Sequence, residues 1–158
     1  MSIHIRKASG KDIPRLIALL EQVAAVHNIA RPDIFKANSK KYNESDLVSL
    51  LCDKKVIIFV AADEDDVAVG YIFCMMNEYK DHSIMQDSKT LYIDDLCVDE
   101  AKRSSGIGRM LFEHACGYAR EQGCYNITLN VWAGNDSARR FYENLGMQEQ
   151  KRTLEMKL

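Results

Sequence analysis

Residues Val56–Ala62 are apolar at every position, and this run limits the choice of fold more than any other segment. A strand with one face in solvent alternates apolar and polar residues, whereas a strand covered on both faces is apolar throughout. The acidic run Asp63–Asp66 predicts a turn, and Val67–Met76 predicts the returning strand of a hairpin. The run therefore predicts an α/β fold whose sheet is flanked by helices.

The rest of the chain supplies those helices and further strands. Four helices are predicted from apolar residues at helical spacing: residues 13–24, 44–51, 106–122 and 135–145. Four more strands are predicted: residues 3–6, 91–98, 125–131 and 153–158. Residues 27–43 show no clear period and are predicted to form a structured loop. The order β-α-α-β-β-β-α-β-α-β predicts a mixed sheet rather than a regular parallel one.

Length and charge narrow the range of functions. A chain of 158 residues, 47% of them hydrophobic and 28% charged, is typical of one soluble globular domain, here residues 1–158. The 21 basic and 23 acidic residues are interspersed, so there is no global positive field for nucleic acid. No window approaches the ~20 consecutive apolar residues of a membrane span, and the N-terminus lacks a signal-peptide pattern. We therefore expect neither a nucleic-acid partner nor a membrane partner.

The five cysteines and four histidines are scattered along the chain. An odd number of cysteines without a C-x-x-C pair is not the pattern of a disulfide framework or a zinc knuckle. The histidines are isolated as well, so the sequence predicts no metal site. Reduced thiols of this kind predict a cytoplasmic location.

Residues 98–109 carry the clearest chemical signal, because they join a predicted strand to a predicted helix. Gly106 and Gly108 stand at the start of the helix, where the absence of a Cβ lets backbone N–H groups approach a ligand. A helix N-terminus offers free donors and about half a positive charge, which together suit a phosphate. Lys102 and Arg103 add side-chain charge, so the segment predicts a pyrophosphate cradle.

Two common phosphate-binding motifs do not fit this segment. A P-loop requires a Gly-Lys pair followed by Ser or Thr, and the chain contains no Gly-Lys pair. A dinucleotide fold requires G-x-G-x-x-G early in a βαβ unit, whereas only two glycines occur here, late in the chain. The alternative to a pyrophosphate cradle is that the two glycines only begin the helix and bind no ligand.

Residues 103–108, Arg-Ser-Ser-Gly-Ile-Gly, resemble the [QR]-x-x-G-x-[GA] acetyl-CoA signature of the GNAT family of N-acetyltransferases. The L-x-V pattern before this loop is present at 96–98, and the family's strand, Asn and F-Y-x-x-x-G-[FM] helix are present across Leu129–Met147. The close match covers Thr90–Met147. The resemblance implies a single-domain GNAT fold, with a mixed, mostly antiparallel sheet and splayed central strands. It also implies acetyl-CoA-dependent N-acetyltransferase activity without a metal.

The resemblance assigns roles by position. The backbone of Leu96 and Val98 would pair with the pantetheine arm like an added strand, and the Val98 N–H would hold the oxyanion. Tyr142 matches the family tyrosine that protonates or hydrogen-bonds the departing thiolate, although a packed aromatic is the alternative. Arg109 would reach the 3′-phosphate or stay a solvated charge, and Asn135 is also a natural N-cap. The implied cofactor-binding residues are Leu96, Cys97, Val98, Arg103, Ser104, Ser105, Gly106, Ile107, Gly108, Arg109, Asn135, Arg139 and Tyr142.

The general base is left open by the resemblance. Family members that acetylate histones carry Glu where this chain has Tyr92, and those that acetylate ribosomal-protein alanine carry Glu where it has Asn130. Regular alternation would place Asp94 and Asp95 on opposite faces of their strand, with Asp94 on the face of Tyr92. Asp94 is the nominated catalytic base, and a water chain ending at Tyr92 or Glu78 is the alternative.

The acceptor is expected to be a primary amine of a small molecule, a polyamine, or a peptide or protein. The loops at 27–43 and 79–88 are expected to line its site. The candidate acceptor-binding residues are His27, Arg31, Asp33, Phe35, Tyr79, Tyr92 and Asn130. A non-catalytic acyl-CoA sensor is the second hypothesis, and a homodimer is expected from the family resemblance alone.

Overall fold

The computed structural model describes residues 2–158, which form a five-stranded sheet in the order β1-β2-β3-β4-β5. All neighbouring strands are antiparallel except β4 and β5, so the expected mixed, mostly antiparallel sheet is confirmed. The strands are β1 His4–Lys7, β2 Val56–Ala62, β3 Ala68–Tyr79, β4 Ser88–Val98 and β5 Asn126–Leu129. The helices are α1 Ile13–Ala30, α2 Glu44–Cys52, α3 Ile107–Glu121 and α4 Asp136–Asn144.

Strand β2 confirms the prediction drawn from its composition. From its second residue onward it is buried, and alternate side chains enter two separate hydrophobic clusters. Ile57, Phe59 and Ala61 belong to the cluster beneath α3, which we call the α3-side cluster. Ile58 and Val60 belong to the cluster beneath α1 and α2, which we call the α1–α2-side cluster. Both faces of the sheet are therefore covered, as an apolar strand requires.

Each long helix buries one apolar stripe against the sheet. Leu111 and Ala115 of α3 are four residues apart and fully buried. Leu16 and Leu20 of α1 have the same spacing, and Leu47 of α2 packs in the same cluster. The two helix layers thus fix the sheet between them, with β3 at its centre and β4 beside it.

Helix α1 is longer than its apolar period predicts. The prediction ends at Ala24, whereas α1 continues to Ala30 and the following loop starts at Arg31. His27 therefore lies in the last helical turn, where its carbonyl accepts the Arg31 N–H at 2.9 Å. Among residues 2–158, no helix combines the length and apolar character that crossing a bilayer requires.

Strands β4 and β5 pair only along part of their length. The pairing runs from Thr90 opposite Asn126 to Ile93 opposite Leu129, where β5 ends. Strand β4 continues to Val98 while remaining paired with β3 on its other side. The predicted splay is present, although it separates β4 from the edge strand β5 rather than two central strands, and it leaves an open slot beside residues 94–98 of β4.

The strand predicted over residues 153–158 is wrong, because this segment has no strand partner. Residues 148–158 are exposed, and no backbone hydrogen bond within residues 2–158 involves them. The alternation of Leu154, Met156 and Leu158 is typical of a strand, but a strand also needs a neighbouring edge. Within residues 2–158, no strand of the sheet pairs with this segment.

Candidate active site

The loop before α3 has a backbone that only particular residues adopt readily. Ser104 and Gly106 have φ angles of 63° and 83°, in the left-handed region that favours glycine. The Arg103 Nε donates to the Val98 carbonyl at 3.2 Å, which fixes the loop against the end of β4. The first intrahelical bond of α3 runs from the Met110 N–H to the Gly106 carbonyl at 3.1 Å. The N–H groups that precede it have no helical acceptor and can bind an anion.

Gly108 is required by packing rather than by its backbone angles. A Cβ at this position would lie 3.1 Å from the Phe141 Cζ and 3.7 Å from a Leu96 methyl carbon. The start of α3 is therefore wedged between β4 and α4. This contact places the free N–H groups of α3 at the end of the slot beside β4.

Several predicted cofactor residues offer their backbone rather than their side chain. Ile107 is 1% exposed and packs in the α3-side cluster, where Leu96 and Val98 also contribute. Cys97 packs on the opposite face, where its Sγ lies 3.6 Å from the Leu19 carbonyl. Burial raises the pKa of Cys97 to about 12, so its thiol stays protonated. These side chains hold the strand and helix in place.

The charged candidates lie on the surface. Arg109 is 55% exposed and lies 3.4 Å from Glu113 one turn along α3, a pairing that contributes little to stability. Arg139 is also exposed, with Asp136 and Glu143 as its neighbours at 3.9 and 3.8 Å. Both guanidinium groups remain near enough to water to turn toward a phosphate.

Asn135 caps the start of helix α4, where its side chain accepts the Ala138 N–H at 3.3 Å. The expected N-cap role is therefore confirmed. Farther along α4, the Tyr142 ring packs against Phe141 and Phe112, with ring centres 5.0 and 6.2 Å away. The predicted aromatic packing of Tyr142 is thus present.

The Tyr142 hydroxyl nevertheless remains available. This hydroxyl has no hydrogen-bond partner within residues 2–158. Every fully buried side-chain oxygen in that range does have a partner, so the Tyr142 hydroxyl is not fully buried and is accessible. Burial of the ring, followed by the negative charge of Asp95, raises the pKa of Tyr142 well above its ordinary value. The phenol therefore stays protonated and can donate a hydrogen bond or a proton.

A bulge changes the orientation of the two carboxylates of β4. Phe73 of β3 pairs with Asp95 and Cys74 pairs with Ile93, so Asp94 is the extra residue without a partner. The bulge interrupts the alternation on which the prediction relied. The expectation that Asp94 and Asp95 point to opposite faces is therefore wrong, because both face the α1–α2 side.

The two carboxylates have different surroundings. Asp94 is 11% exposed and binds the Lys41 Nζ at 2.7 Å through both oxygens, while the Tyr42 hydroxyl donates at 3.2 Å. Asp95 lies deeper and accepts the Tyr71 hydroxyl at 2.6 Å. Burial raises the pKa of Asp95, and the hydrogen bond from Tyr71 opposes that shift.

An aromatic wall forms beyond the end of β5. The Phe35 ring lies 4.9 Å from the His27 ring and meets Trp132 edge to face at 5.3 Å. The Arg31 guanidinium lies 5.7 Å from the Trp132 ring centre and forms a 2.8 Å ion pair with Asp33. The structure therefore brings together four of the predicted acceptor residues.

The remaining acceptor candidates divide into two groups. Asn130 donates to the Tyr92 hydroxyl at 3.2 Å, at the point where β4 and β5 begin to separate. Tyr79 instead stacks edge-on with His82, 5.3 Å away. Within residues 2–158, Tyr79 therefore lies outside the ring contacts that form the aromatic wall.

Sequence reasoning missed Lys41, Tyr42, Tyr71 and Trp132. Lys41 lies 53 residues from Asp94, and Tyr71 lies 24 residues from Asp95. No local pattern marks such pairs, because they depend on which strand and which loop lie beside β4 in the folded chain. Trp132 was visible as the chain's single tryptophan, next to the segment that carries the family pattern.

Comparisons with known proteins agree with this geometry. The peptidyl-lysine N-acetyltransferase YjaB of Salmonella typhimurium is 28% identical over 149 residues, 94% of this chain and 85% of that protein. The glucosamine 6-phosphate N-acetyltransferase of Trypanosoma brucei brucei is 31% identical over 67 residues, 42% of this chain. That second match spans only 44% of the trypanosomal enzyme.

A solved structure also resembles the whole chain. A mutant BH1408 protein from Bacillus halodurans, known from its crystal structure, is 36% identical in sequence to this chain. The two structures superpose with a TM-score of 0.93. The superposition covers 98% of this chain and 99% of that one. The model of the acetyltransferase (GNAT) family matches residues 23–147. Because that match takes in most of the sequence, the chain belongs to the GNAT acetyltransferase family.

Proposed function

We propose that the protein, as a single domain of residues 1–158, transfers the acetyl group of acetyl-CoA to a primary amine by direct attack. The observation that carries this proposal is the slot beside β4, which ends at the glycine-opened start of α3. A strand edge offers hydrogen bonds to an extended ligand, and a helix start offers donors to phosphate. Acetyl-CoA has both parts in this order.

Backbone groups and exposed charges along the slot support acetyl-CoA as the ligand. The backbone of 96–98 would hold the pantetheine arm, and the N–H groups of 104–109 would hold the pyrophosphate. Arg103 already lies across the end of β4, and Arg109 and Arg139 are exposed charges that can reach the outer phosphates. When bound, acetyl-CoA supplies an acyl group activated as a thioester.

Tyr142 is proposed as the proton donor to the departing thiolate. Its hydroxyl is accessible, and its raised pKa keeps the proton on the phenol across the working pH range. A protonated donor of this kind contributes about 10²- to 10⁴-fold to a rate. The Val98 N–H, at the open end of β4, is proposed to stabilise the oxyanion.

Asp94 is proposed to receive the acceptor amine. Its carboxylate already binds a primary ammonium, that of Lys41, and Lys41 is 49% exposed and free to leave. An acceptor ammonium that replaces Lys41 would be oriented by Asp94 and would give up its proton there. A water chain ending at Tyr92 or Glu78 is the second route for that proton.

The acceptor class is proposed as a primary amine on a small molecule or a peptide. The aromatic wall of His27, Phe35 and Trp132 supplies apolar surface near the end of β5. One relative is named for a peptidyl lysine and another for an amino sugar phosphate, so the fold serves both classes.

All five cysteines are free thiols, which supports a reducing, cytoplasmic location.

A release assay for the CoA thiol tests the proposal directly. The purified protein is incubated with acetyl-CoA and a panel of polyamines, amino sugars, aminoglycosides, free amino acids and peptides with lysine or a free N-terminus. At least one class should give saturable thiol release and an acetylated product by mass spectrometry. Binding of acetyl-CoA without release would favour a non-catalytic sensor, a candidate kept because Lys41 neutralises Asp94. A protein that does not bind acetyl-CoA would contradict both functions.

A further inference from the structure

Lys41 lies in the loop between α1 and α2, and its neighbour Tyr42 anchors that loop to the sheet. The Tyr42 ring packs on the α1–α2-side cluster and stacks on Phe73 of β3, with ring centres 5.4 Å apart. The Tyr42 hydroxyl donates to Asp94 of β4 at 3.2 Å. Next to this anchor, the Lys41 Nζ lies 2.7 Å from both Asp94 oxygens. A primary amine of the chain itself is therefore held on the carboxylate that we propose to receive the acceptor.

Asp94 lies at the point where the slot beside β4 begins. The pairing of β4 with β5 ends at Ile93 opposite Leu129, so Asp94 is the first residue of β4 beyond it. The bulge also leaves Asp94 without a partner on β3. The Lys41 ammonium is therefore fixed at the end of the slot where β5 stops, on the α1–α2 side of the sheet.

Tyr142 approaches the same part of β4 from the other side of the sheet. Its ring packs against the α3-side cluster, and the negative charge of Asp95 contributes to the rise of its pKa. The Lys41 amine and the Tyr142 hydroxyl thus approach residues 94 and 95 from opposite faces. Direct attack on a thioester in the slot needs this arrangement, because the nucleophile and the departing sulfur lie on opposite sides of the carbonyl carbon.

We infer that the protein acetylates its own Lys41, in an intramolecular reaction with the acetyl-CoA bound in the slot. The inference rests on the proposed function, since it uses the same cofactor and the same carboxylate. A nucleophile held next to its reaction partner reacts as if it were present at a very high concentration. Acetylation also removes the charge of Lys41, so the modified side chain no longer pairs with Asp94. The modification would therefore free Asp94 for an external ammonium.

The reaction balances with the groups already named. The Lys41 ammonium gives one proton to Asp94, which passes it to water, and the Nζ lone pair then forms the new N–C bond. The C–S bond of the thioester breaks with its electron pair on sulfur, and the thiolate takes the proton of Tyr142. The second proton lost by the nitrogen restores Tyr142. The products are acetylated Lys41, the CoA thiol and one proton released to water.

Lys40 provides an internal control for this reaction. It is the preceding residue in the same loop, and its side chain is 40% exposed, compared with 49% for Lys41. Its Nζ lies 3.9 Å from Glu21 of α1 and does not contact Asp94. Spontaneous acetylation by acetyl-CoA should therefore affect the two lysines alike, whereas acetylation in the slot should select Lys41.

Mass spectrometry of the full chain, incubated with acetyl-CoA and no external amine, tests the inference. A protease that cuts at acidic residues is used for peptide mapping, because trypsin cuts beside both lysines. Lys41 should be acetylated at least about tenfold faster than Lys40. Its rate constant should not change when the protein is diluted at a fixed acetyl-CoA concentration. In Tyr142→Phe, acetylation of Lys41 should slow by about 10²-fold, while the slow reaction of Lys40 stays the same.

The kinetic consequence is tested with the acceptor amine that gives thiol release. Incubation of the wild type with acetyl-CoA alone should afterwards lower the KM for that acceptor by up to about fivefold, as expected for the loss of a half-exposed ion pair. Lys41→Arg keeps a positive charge but cannot be acetylated by this route, so its KM should not respond to the incubation. Lys40→Arg is the matched control and should respond as the wild type does.

Three results would overturn the inference. These are equal acetylation of Lys40 and Lys41, a rate constant at Lys41 that rises in proportion to protein concentration, and an acetylated wild type whose KM is unchanged. A wild type that acetylates an external amine but leaves Lys41 unmodified would also overturn it, while leaving the proposed function intact. A protein that acetylates neither contradicts both.

Discussion

The proposed cofactor side and the proposed acceptor side of the slot are built in different ways. The cofactor side is contiguous in sequence and rests on backbone groups, from the open edge of β4 to the turn at Gly106. The acceptor side is assembled from side chains far apart in sequence, such as Lys41 and Asp94, which lie 53 residues apart. Backbone recognition needs only a conformation, whereas side-chain recognition needs particular residues. Two relatives of this chain are named for different acceptors, as expected when the acceptor side depends on particular side chains.

The largest expected effect comes from Tyr142, the proposed proton donor. In Tyr142→Phe, kcat should fall by about 10²-fold or more, because the proton donor is lost. The dissociation constant for acetyl-CoA should stay within about twofold, since the ring still packs on Phe141 and Phe112. Steady-state thiol release and calorimetric titration measure the two quantities.

Tyr125→Phe is the matched control for that variant, because Tyr125 is 83% exposed and outside the slot. It should leave kcat unchanged. Unchanged kcat in Tyr142→Phe with a good acceptor would remove the proposed acid role.

Gly106 tests the cofactor side alone. A Cβ at Gly106 meets no atom within 4 Å, so Gly106→Ala acts only through the φ of 83°. An alanine held there costs about 1–2 kcal/mol, which should weaken acetyl-CoA binding about tenfold by shifting the loop. Gly117→Ala, in the middle of α3 with equally open space, should not change binding. Equal affinities for the two variants in calorimetric titration would mean that the turn is not part of the cofactor site.

Lys41 tests the acceptor side alone. In Lys41→Ala, the acceptor no longer competes with a resident ammonium, so its KM should fall by up to about fivefold, as expected for a half-exposed pair. The affinity for acetyl-CoA should not change. Lys40→Ala is the control, because Lys40 lies 3.9 Å from Glu21 and does not contact Asp94. A higher KM in Lys41→Ala would indicate that Lys41 binds the acceptor instead of standing in its place.

The smallest expected effect is on stability and concerns Asp95. Its pKa is raised in the folded protein, so the folded state holds the proton more tightly than the unfolded state does. This preference stabilises the fold below the unfolded pKa of Asp95 and is lost as the pH rises through the folded pKa. Relative to the wild type, Asp95→Asn should therefore gain stability as the pH rises from 4 to 7. Urea denaturation at both pH values measures the change, and a constant difference would contradict the assigned shift.

The sequence predicts the features that are local along the chain and does not predict the side-chain contacts between distant residues. The apolar run of β2, the glycines before α3 and the Asn135 cap are local signals, and the structure places each of them as expected. The contacts of Asp94 depend on a one-residue bulge, which no local pattern announces. Residues 153–158 have the alternation of a strand, but strand formation also needs a pairing partner, and these residues have none within residues 2–158.

Hydrogen exchange with and without acetyl-CoA tests the cofactor site most directly. If the slot beside β4 binds the cofactor, saturating acetyl-CoA should slow exchange at the amides of 96–98 and of 104–109. The amides of β1, on the far edge of the sheet, should not change. Protection that appears elsewhere, while 96–98 and 104–109 exchange at their original rates, would contradict the assigned cofactor site.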